Sequence, residues 1–203
     1  MALSLQKGQR ISLEKQDGKK LQRVCVGLNW GAIQKKGFFG GTKTEAVDLD
    51  ASCGLFDAAN KLVDVVYFGN LRSKDGSIVH SGDDLTGDTG GDDGLDNEII
   101  TLDLSRIDPI TNQIVFILNS FRGHDFGDIP HAMLRIYEGT PDRVESVFAT
   151  YNIAQDPKFK GFVSMIMGKL YRHQSSWKFA AIGEPTRDRK LEECLVTVSS
   201  KFL

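Results

Sequence analysis

Between Asp83 and Glu98 the chain places seven carboxylates in sixteen positions, interleaved with glycine. From Asp75 to Asp103 there are nine acidic residues and no Lys or Arg, so the remainder of a chain whose net charge is −2 stands at +7. Such a segment repels itself unless something cationic sits in it. Hard divalent ions, which gather about six to eight oxygen ligands, are the natural counter-charge. Calcium is therefore the first chemistry the sequence points to. Acidic, glycine-rich runs are more often solvated loops than metal sites. This one, however, lies mid-chain between two strand-like segments, Val65 to Gly69 and Glu98 to Leu104. Like charges pinned between ordered elements cost folding energy until they are neutralised.

A second acidic element lies upstream. In the alternating run Ala46 to Phe56, Asp48, Asp50 and Ser52 fall on one face and Val47, Leu49, Ala51 and Cys53 on the other. Neighbours on one strand face are separated by about 7 Å, close enough for two carboxylates to grip one cation from a strand end. The plainer reading is the solvent face of an edge strand. In a β-sandwich, loops converge at each end, so two acidic loops meeting there would form an oxygen-only site. Asn70, after a strand-like segment, can add a carbonyl oxygen or serve only as a turn residue.

Other chemistries fit less well. No register between Asp83 and Asp103 supplies the EF-hand pattern. The single Gly90–Asp96 turn lacks the stacked repeats of a calcium-binding β-roll. Asp48-Leu49-Asp50-Ala51-Ser52 resembles the DxDx(T/V) nucleophile motif of haloacid-dehalogenase-type phosphatases, with Asp48 as nucleophile and Asp50 as acid/base, so a divalent-metal-dependent phosphohydrolase is the alternative function. That motif belongs on a parallel strand of an α/β sheet, and this chain lacks the crossover helices. Gly37 to Thr44 approaches a phosphate-binding loop, but Thr42 stands where glycine is required. His80, His124, His131 and His173 show no metal-binding spacing, and Cys25, Cys53 and Cys194 form no CxxC pair, as expected of buried thiols in a reducing compartment. Overall charge gives no sign of nucleic-acid binding. No apolar run is long enough to span a membrane. The opening residues, MALSLQKGQRISLEK, lack a signal-peptide layout, so the expectation is a protein that starts here and stays in the cytoplasm.

The elements that must position these residues read mostly as strands. Candidates are Leu21–Trp30, Ala46–Phe56, Leu62–Phe68, Ile99–Leu104, Gln113–Phe121, Ala132–Glu138, Val144–Tyr151, Phe162–Tyr171 and Trp177–Ile182, separated by Gly, Asp, Asn and Pro turns. Only Thr186 to about Ser200 reads as helix, with Thr186 as N-cap and Leu191, Leu195 and Val198 on one face. Gln34 to Thr44 is expected to be a flexible loop, its Phe38 and Phe39 either tucked onto the core or open to a partner. The fold class is mainly β: one antiparallel β-sandwich domain over residues 1–203, closed by a C-terminal helix.

Val47 to Cys53 (VDLDASC), Asn70 to Asp88 (NLRSKDGSIVHSGDDLTGD) and Leu170 to Glu184 (LYRHQSSWKFAAIGE) resemble the TerD family of tellurite-resistance and stress-response proteins. Gly27 to Gly41 is most similar to its TerZ branch. The resemblance runs through nearly the whole chain in the family's order. It implies a cytoplasmic calcium-binding β-sandwich without catalytic activity, acting in tellurium resistance and stress and assembling with other Ter-type proteins near the membrane. By the resemblance the calcium ligands are Asp48, Asp50, Asn70, Asp83, Asp84 and Asp88. Gly69 stands where many members carry a further Asn. The family's compact GDDE ending is spread here over GGDDGLDNE, leaving either Asp92 and Asp93 or Asp96 and Glu98 as the last ligands. Two neighbouring calcium ions are expected, because this many carboxylates exceeds what one ion gathers.

Overall fold

The computed structural model describes residues 3–14, 18–36, 40–152, 157–174 and 176–203. Among the described residues there are fourteen strands: β1 (Leu3–Ser4), β2 (Arg10–Ser12), β3 (Arg23–Trp30), β4 (Ile33–Lys36), β5 (Thr42–Glu45), β6 (Leu49–Phe56), β7 (Leu62–Val66), β8 (Ile78–His80), β9 (Glu98–Asp103), β10 (Gln113–Ser120), β11 (Ala132–Thr140), β12 (Arg143–Asn152), β13 (Ser164–His173) and β14 (Ser176–Thr186). One helix, α1 (Leu191–Lys201), closes the chain. Twelve strands form two six-stranded sheets, β1-β12-β11-β3-β9-β8 and β2-β14-β13-β10-β6-β7. Neighbours within both sheets are antiparallel except β1 and β12. The molecule is the expected β-sandwich with a terminal helix.

Period-two alternation explains the layering. Val24, Val26, Leu28 and Trp30 of β3, Leu49, Ala51, Cys53 and Leu55 of β6, and Ile114, Phe116 and Leu118 of β10 belong to one buried core. Burying side chains of this size from both sheets is the main stabilising term. The alternate residues Phe56, Val115 and Ile117 lie on the outer face of the second sheet, where Cys194, Leu195 and Val198 of α1 cover them. That cover changes the environment of β6. It is a central strand, between β10 and β7, and every one of its residues is buried. The solvent-face reading of Asp48, Asp50 and Ser52 is thereby corrected.

Two further expectations are revised. Thr186 does not cap the helix: it ends β14, paired with Ser164, and the cap position is Lys190, with no side-chain cap bond. The strand outlasts the sequence signal because its pairing with β13 continues through Pro185. The Glu193 carboxylate instead accepts from the Arg189 N–H, satisfying one backbone donor at the helix start. The segment expected to be a flexible loop contains the hairpin β4–β5, in register from Ile33↔Glu45 to Lys36↔Thr42 and held by the Lys35–Glu45 ion pair. Phe38 and Phe39 lie outside the described residues.

The strand register gathers the acidic segments at one end. Glu98 opens β9 opposite Leu28, Ser120 closes β10 opposite Leu49, and Trp30 closes β3 opposite Ala132. Trp30 bolts this end together. Its indole N–H donates to the Val47 carbonyl at 2.9 Å, its backbone N–H donates to Asn97 Oδ1 at 2.7 Å, and its carbonyl accepts from the Asp88 N–H at 2.9 Å. Gly87 crosses directly over the indole with φ of +63°, where any Cβ would collide with the ring.

Candidate metal centre

The ten expected ligands separate into distinct environments. Asp48, Asp50 and Asp83 each bring a carboxylate oxygen within 4.8 Å of the others. Asp48 is 2% exposed and Asp50 9%, whereas Asp83 is exposed at the mouth of the group. One Asp48 oxygen, Oδ2, lies 3.2 Å from Arg122 Nε. The other, Oδ1, is buried and has no hydrogen-bond partner. Two more polar atoms on the same sheet face share that condition: Ser52 Oγ, and Oδ1 of Asn119, which stands opposite Asp50 on β10.

The electrostatics follow from this crowding. Burial pushes the Asp48 carboxyl up, Arg122 opposes that, and Asp83 and Asp84 add to it. Asp50 is pushed up to about 7, first by burial, then by the charges of Glu98, Asp48 and Asp83, with His80 opposing. A buried, unpaired charge is costly in a folded protein, and a cation set among these oxygens removes that cost. The donor set is all oxygen, and one buried oxygen of Asp48 is left without a partner. The residues therefore fit a hard cation of the calcium class.

A second group consists of Asp88, Asp92 and His131. Its carboxylates are already engaged. Asp88 Oδ2 accepts from Asn29 Nδ2 at 3.2 Å and lies 3.6 Å from His131 Nε2, while Asp88 Oδ1 accepts from Asn97 Nδ2 at 3.1 Å. Asp92 Oδ1 accepts from the Gly94 N–H at 2.8 Å. With an imidazole nitrogen among its donors, this group fits an oxygen-preferring ion less well than the first.

The remaining predicted ligands have partners of other kinds. Asp84 Oδ1 accepts from the backbone N–H groups of Thr86 and Gly87 and from the Thr86 hydroxyl, stapling its own turn. Burial raises the Asp84 carboxyl, but those bonds outweigh it and hold the group below the usual range. Asp93 accepts from the Leu95 N–H in a similar turn. Asp96 lies over Gly27 on the outer face of the first sheet, its Oδ1 2.7 Å from Arg135 Nε. Asn70 donates its amide to the Val65 carbonyl at 2.6 Å, closing the turn after β7.

Glu98 links the sheets. Strand β7 stops pairing at Val66, opposite Cys53, which leaves the backbone of Ala51 without a strand neighbour on that side. Glu98 Oε2 accepts from the Ala51 N–H at 2.7 Å, and Oε1 accepts from the Asp84 N–H at 3.2 Å. His80 completes the join: its Nδ1 accepts from the Gly82 N–H, which leaves Nε2 to donate to the Ala51 carbonyl at 3.0 Å. Burial raises the Glu98 carboxyl, opposed by His80 and the Ala51 N–H. Glu98 thus fixes β6, and with it Asp50, against the acidic loop.

Sequence reasoning missed Asn119, Arg122, His131 and Asn29. Arg122 and Asn119 are far from any acidic run, and only the β6–β10 register brings them to Asp48 and Asp50. His131 is 43 positions from Asp88, so no local spacing rule could find it.

Comparison with known proteins agrees with this architecture. The TerD domain matches residues 1–196. The tellurium resistance protein TerZ of Serratia marcescens is 35% identical over 94% of this chain and 94% of its own length. The stress response protein SCP2 of Bacillus subtilis (strain 168) is 38% identical over 96% of this chain and 98% of its own. A solved Streptomyces coelicolor homologue of the telluride resistance protein TerD superposes with a TM-score of 0.62 at 20% identity, covering 88% of this chain and 95% of that one, a likeness of fold.

Proposed function

We propose, from the premise that this chain belongs to the TerD family of tellurium-resistance and stress-response proteins, that it is a non-catalytic calcium-binding module whose ion orders the loops at one end of the sandwich. The observation that carries this reading is the convergence of Asp48, Asp50 and Asp83, with one buried oxygen of Asp48 left without a partner. Asp48, Asp50 and Asp83 hold the ion, with Ser52 and Asn119 as neutral oxygens on the same face. A bound calcium supplies positive charge and fixes the 81–97 loop against β6. The second ion expected from the number of carboxylates falls to Asp88 and Asp92. The site then presents an ordered surface to other Ter-type proteins in the cytoplasm, in a complex near the membrane.

The phosphohydrolase alternative loses its support. It needs Asp48 at the end of a parallel strand, and β6 lies between two antiparallel neighbours. The module reading is tested by capture of partners from cell extract with calcium or with chelator, using wild-type protein and Asp83→Ala. Ter-type partners retained only by wild-type protein in calcium are expected. The same partners recovered in chelator would leave the ion no role in recognition.

A further inference from the structure

Ten large apolar side chains are exposed among the described residues, and five of them, Phe68, Leu71, Leu85, Leu95 and Phe121, stand on the loops at the acidic end. Phe121 is 67% exposed, and its backbone N–H donates to the Asp48 carbonyl at 3.0 Å. Its ring meets Phe68 edge-on at 6.1 Å, and Phe68 meets Tyr67 at 5.3 Å, so an aromatic file borders the carboxylate group. Leu85, 51% exposed, follows Asp84 on the loop that carries Asp83. These side chains stand on several loops, a layout that matches a soft planar surface better than a shaped protein partner.

Charge points the same way. The β4–β5 hairpin leaves the same end, anchored where the Ala32 N–H donates to the Asp88 carbonyl and where His124 Nε2 lies 3.4 Å from Glu45. It carries exposed Lys35, Lys36 and Lys43, of which Lys35 pairs with Glu45. Beside them the carboxylates make the metal-free surface repel anions. An ion held by Asp48, Asp50 and exposed Asp83 keeps coordination positions open toward solvent, since calcium gathers about six to eight oxygens. Phosphate oxygens fill such positions.

We infer that this end of the sandwich docks on an anionic lipid surface, the ion bridging Asp48, Asp50 and Asp83 to headgroup phosphates, Lys36 and Lys43 lying against the negative surface, and Phe121, Phe68 and Leu85 entering the interface. The inference rests on the calcium reading of the site. Amphipathic elements bind bilayers through the same sum of apolar insertion and attraction to anionic lipid. The calcium requirement comes from the carboxylates, which oppose docking until they are neutralised.

The test is co-sedimentation of the full chain with vesicles of phosphatidylcholine alone or mixed with phosphatidylglycerol, in calcium or in chelator, beside a calcium titration of the same protein without lipid. Wild-type protein is expected to pellet only with the mixed vesicles and only in calcium. Phe121→Ser, at an exposed position, should keep calcium binding and melting temperature yet lower vesicle affinity by about tenfold. Lys36→Ser with Lys43→Ser should lower it further and flatten its salt dependence. Calcium binding without vesicle binding would overturn the docking inference and leave the site reading intact. Absence of calcium binding would overturn both. Equal pelleting with neutral vesicles or in chelator, or an undiminished Phe121→Ser variant, would also overturn the inference. Calcium-dependent capture of a purified Ter-type protein through Phe121, with vesicles ignored, would assign the surface to a protein instead.

Discussion

Replacing Asp50 by Asn keeps the shape of the side chain and removes one charge from the carboxylate group. Because the Asp50 carboxyl is pushed from 3.8 to about 7 in the folded protein, its ionisation opposes folding. The penalty is absent below about pH 4, grows as pH rises toward 7, and is complete above that. A shift of about three units at about 1.4 kcal/mol each sets an upper bound of ~4 kcal/mol. Local relaxation and water reduce it to about 1–3 kcal/mol. In chelator at pH 8 the Asp50→Asn protein should therefore melt about 2–9 °C above wild type, with the gap closing as pH falls from 7 to 4. Calcium at about a hundredfold its dissociation constant should stabilise wild type by about 2.7 kcal/mol, and the variant, lacking a charged ligand, by far less. Thermal melts of both proteins in chelator and in calcium, across pH, read all four numbers. A variant less stable than wild type in chelator would mean that the protein itself satisfies the Asp50 charge. Equal calcium increments would mean that Asp50 is no ligand.

Three other outcomes follow from the same geometry. Asp83→Ala should weaken calcium binding strongly, whereas Asp103→Ala should leave it unchanged, because Asp103 ends β9 at the far end, bonded to Ser105 and paired with Arg23; titration of each variant checks this. Gly27→Ala should destabilise the fold by about 1–3 kcal/mol in urea melts, since a Cβ there runs into the Asp96 carboxylate packed against Arg135. Burial raises the Asp75 carboxyl, but bonds from Ser73, the Asp108 N–H and Ser77 outweigh it and bring it to about 2. Its stabilisation is full above about pH 4 and lost as pH falls through 2. Asp75→Asn should therefore cost about 1–2 kcal/mol at pH 7 and nothing at pH 1.5, read from melts at the two pH values.

The strands were legible because alternation marks each buried face. Leu49, Ala51, Cys53 and Leu55 reach the core as their period of two requires. What alternation cannot reveal is what covers the other face. The strand that pairs with Asp50 and Ser52, β10, lies more than sixty positions downstream. The hairpin within Gln34–Thr44 was hidden because polar Thr and Lys strands carry no apolar period. The candidate site was legible as charge but not as geometry. Composition alone could not distinguish Asp83, which joins Asp48 and Asp50, from Asp84 beside it, which staples a turn. Nor could it pair Asp96 with Arg135 or set Glu98 against the Ala51 N–H, because both partners are fixed by sheet pairing.

Calorimetric titration of the metal-free protein with calcium, and separately with magnesium, tests the central claim most directly. Saturable calcium binding with at least one ion per chain, weaker binding of magnesium because it demands tight octahedral geometry, and loss of the high-affinity event in Asp48→Asn are the expected results. No heat of calcium binding and no change in melting temperature between chelator and calcium would contradict the account. So would a calcium affinity that falls equally in Asp48→Asn, Asp83→Ala and Asp103→Ala, since bulk acidity rather than a built site would then hold the ion.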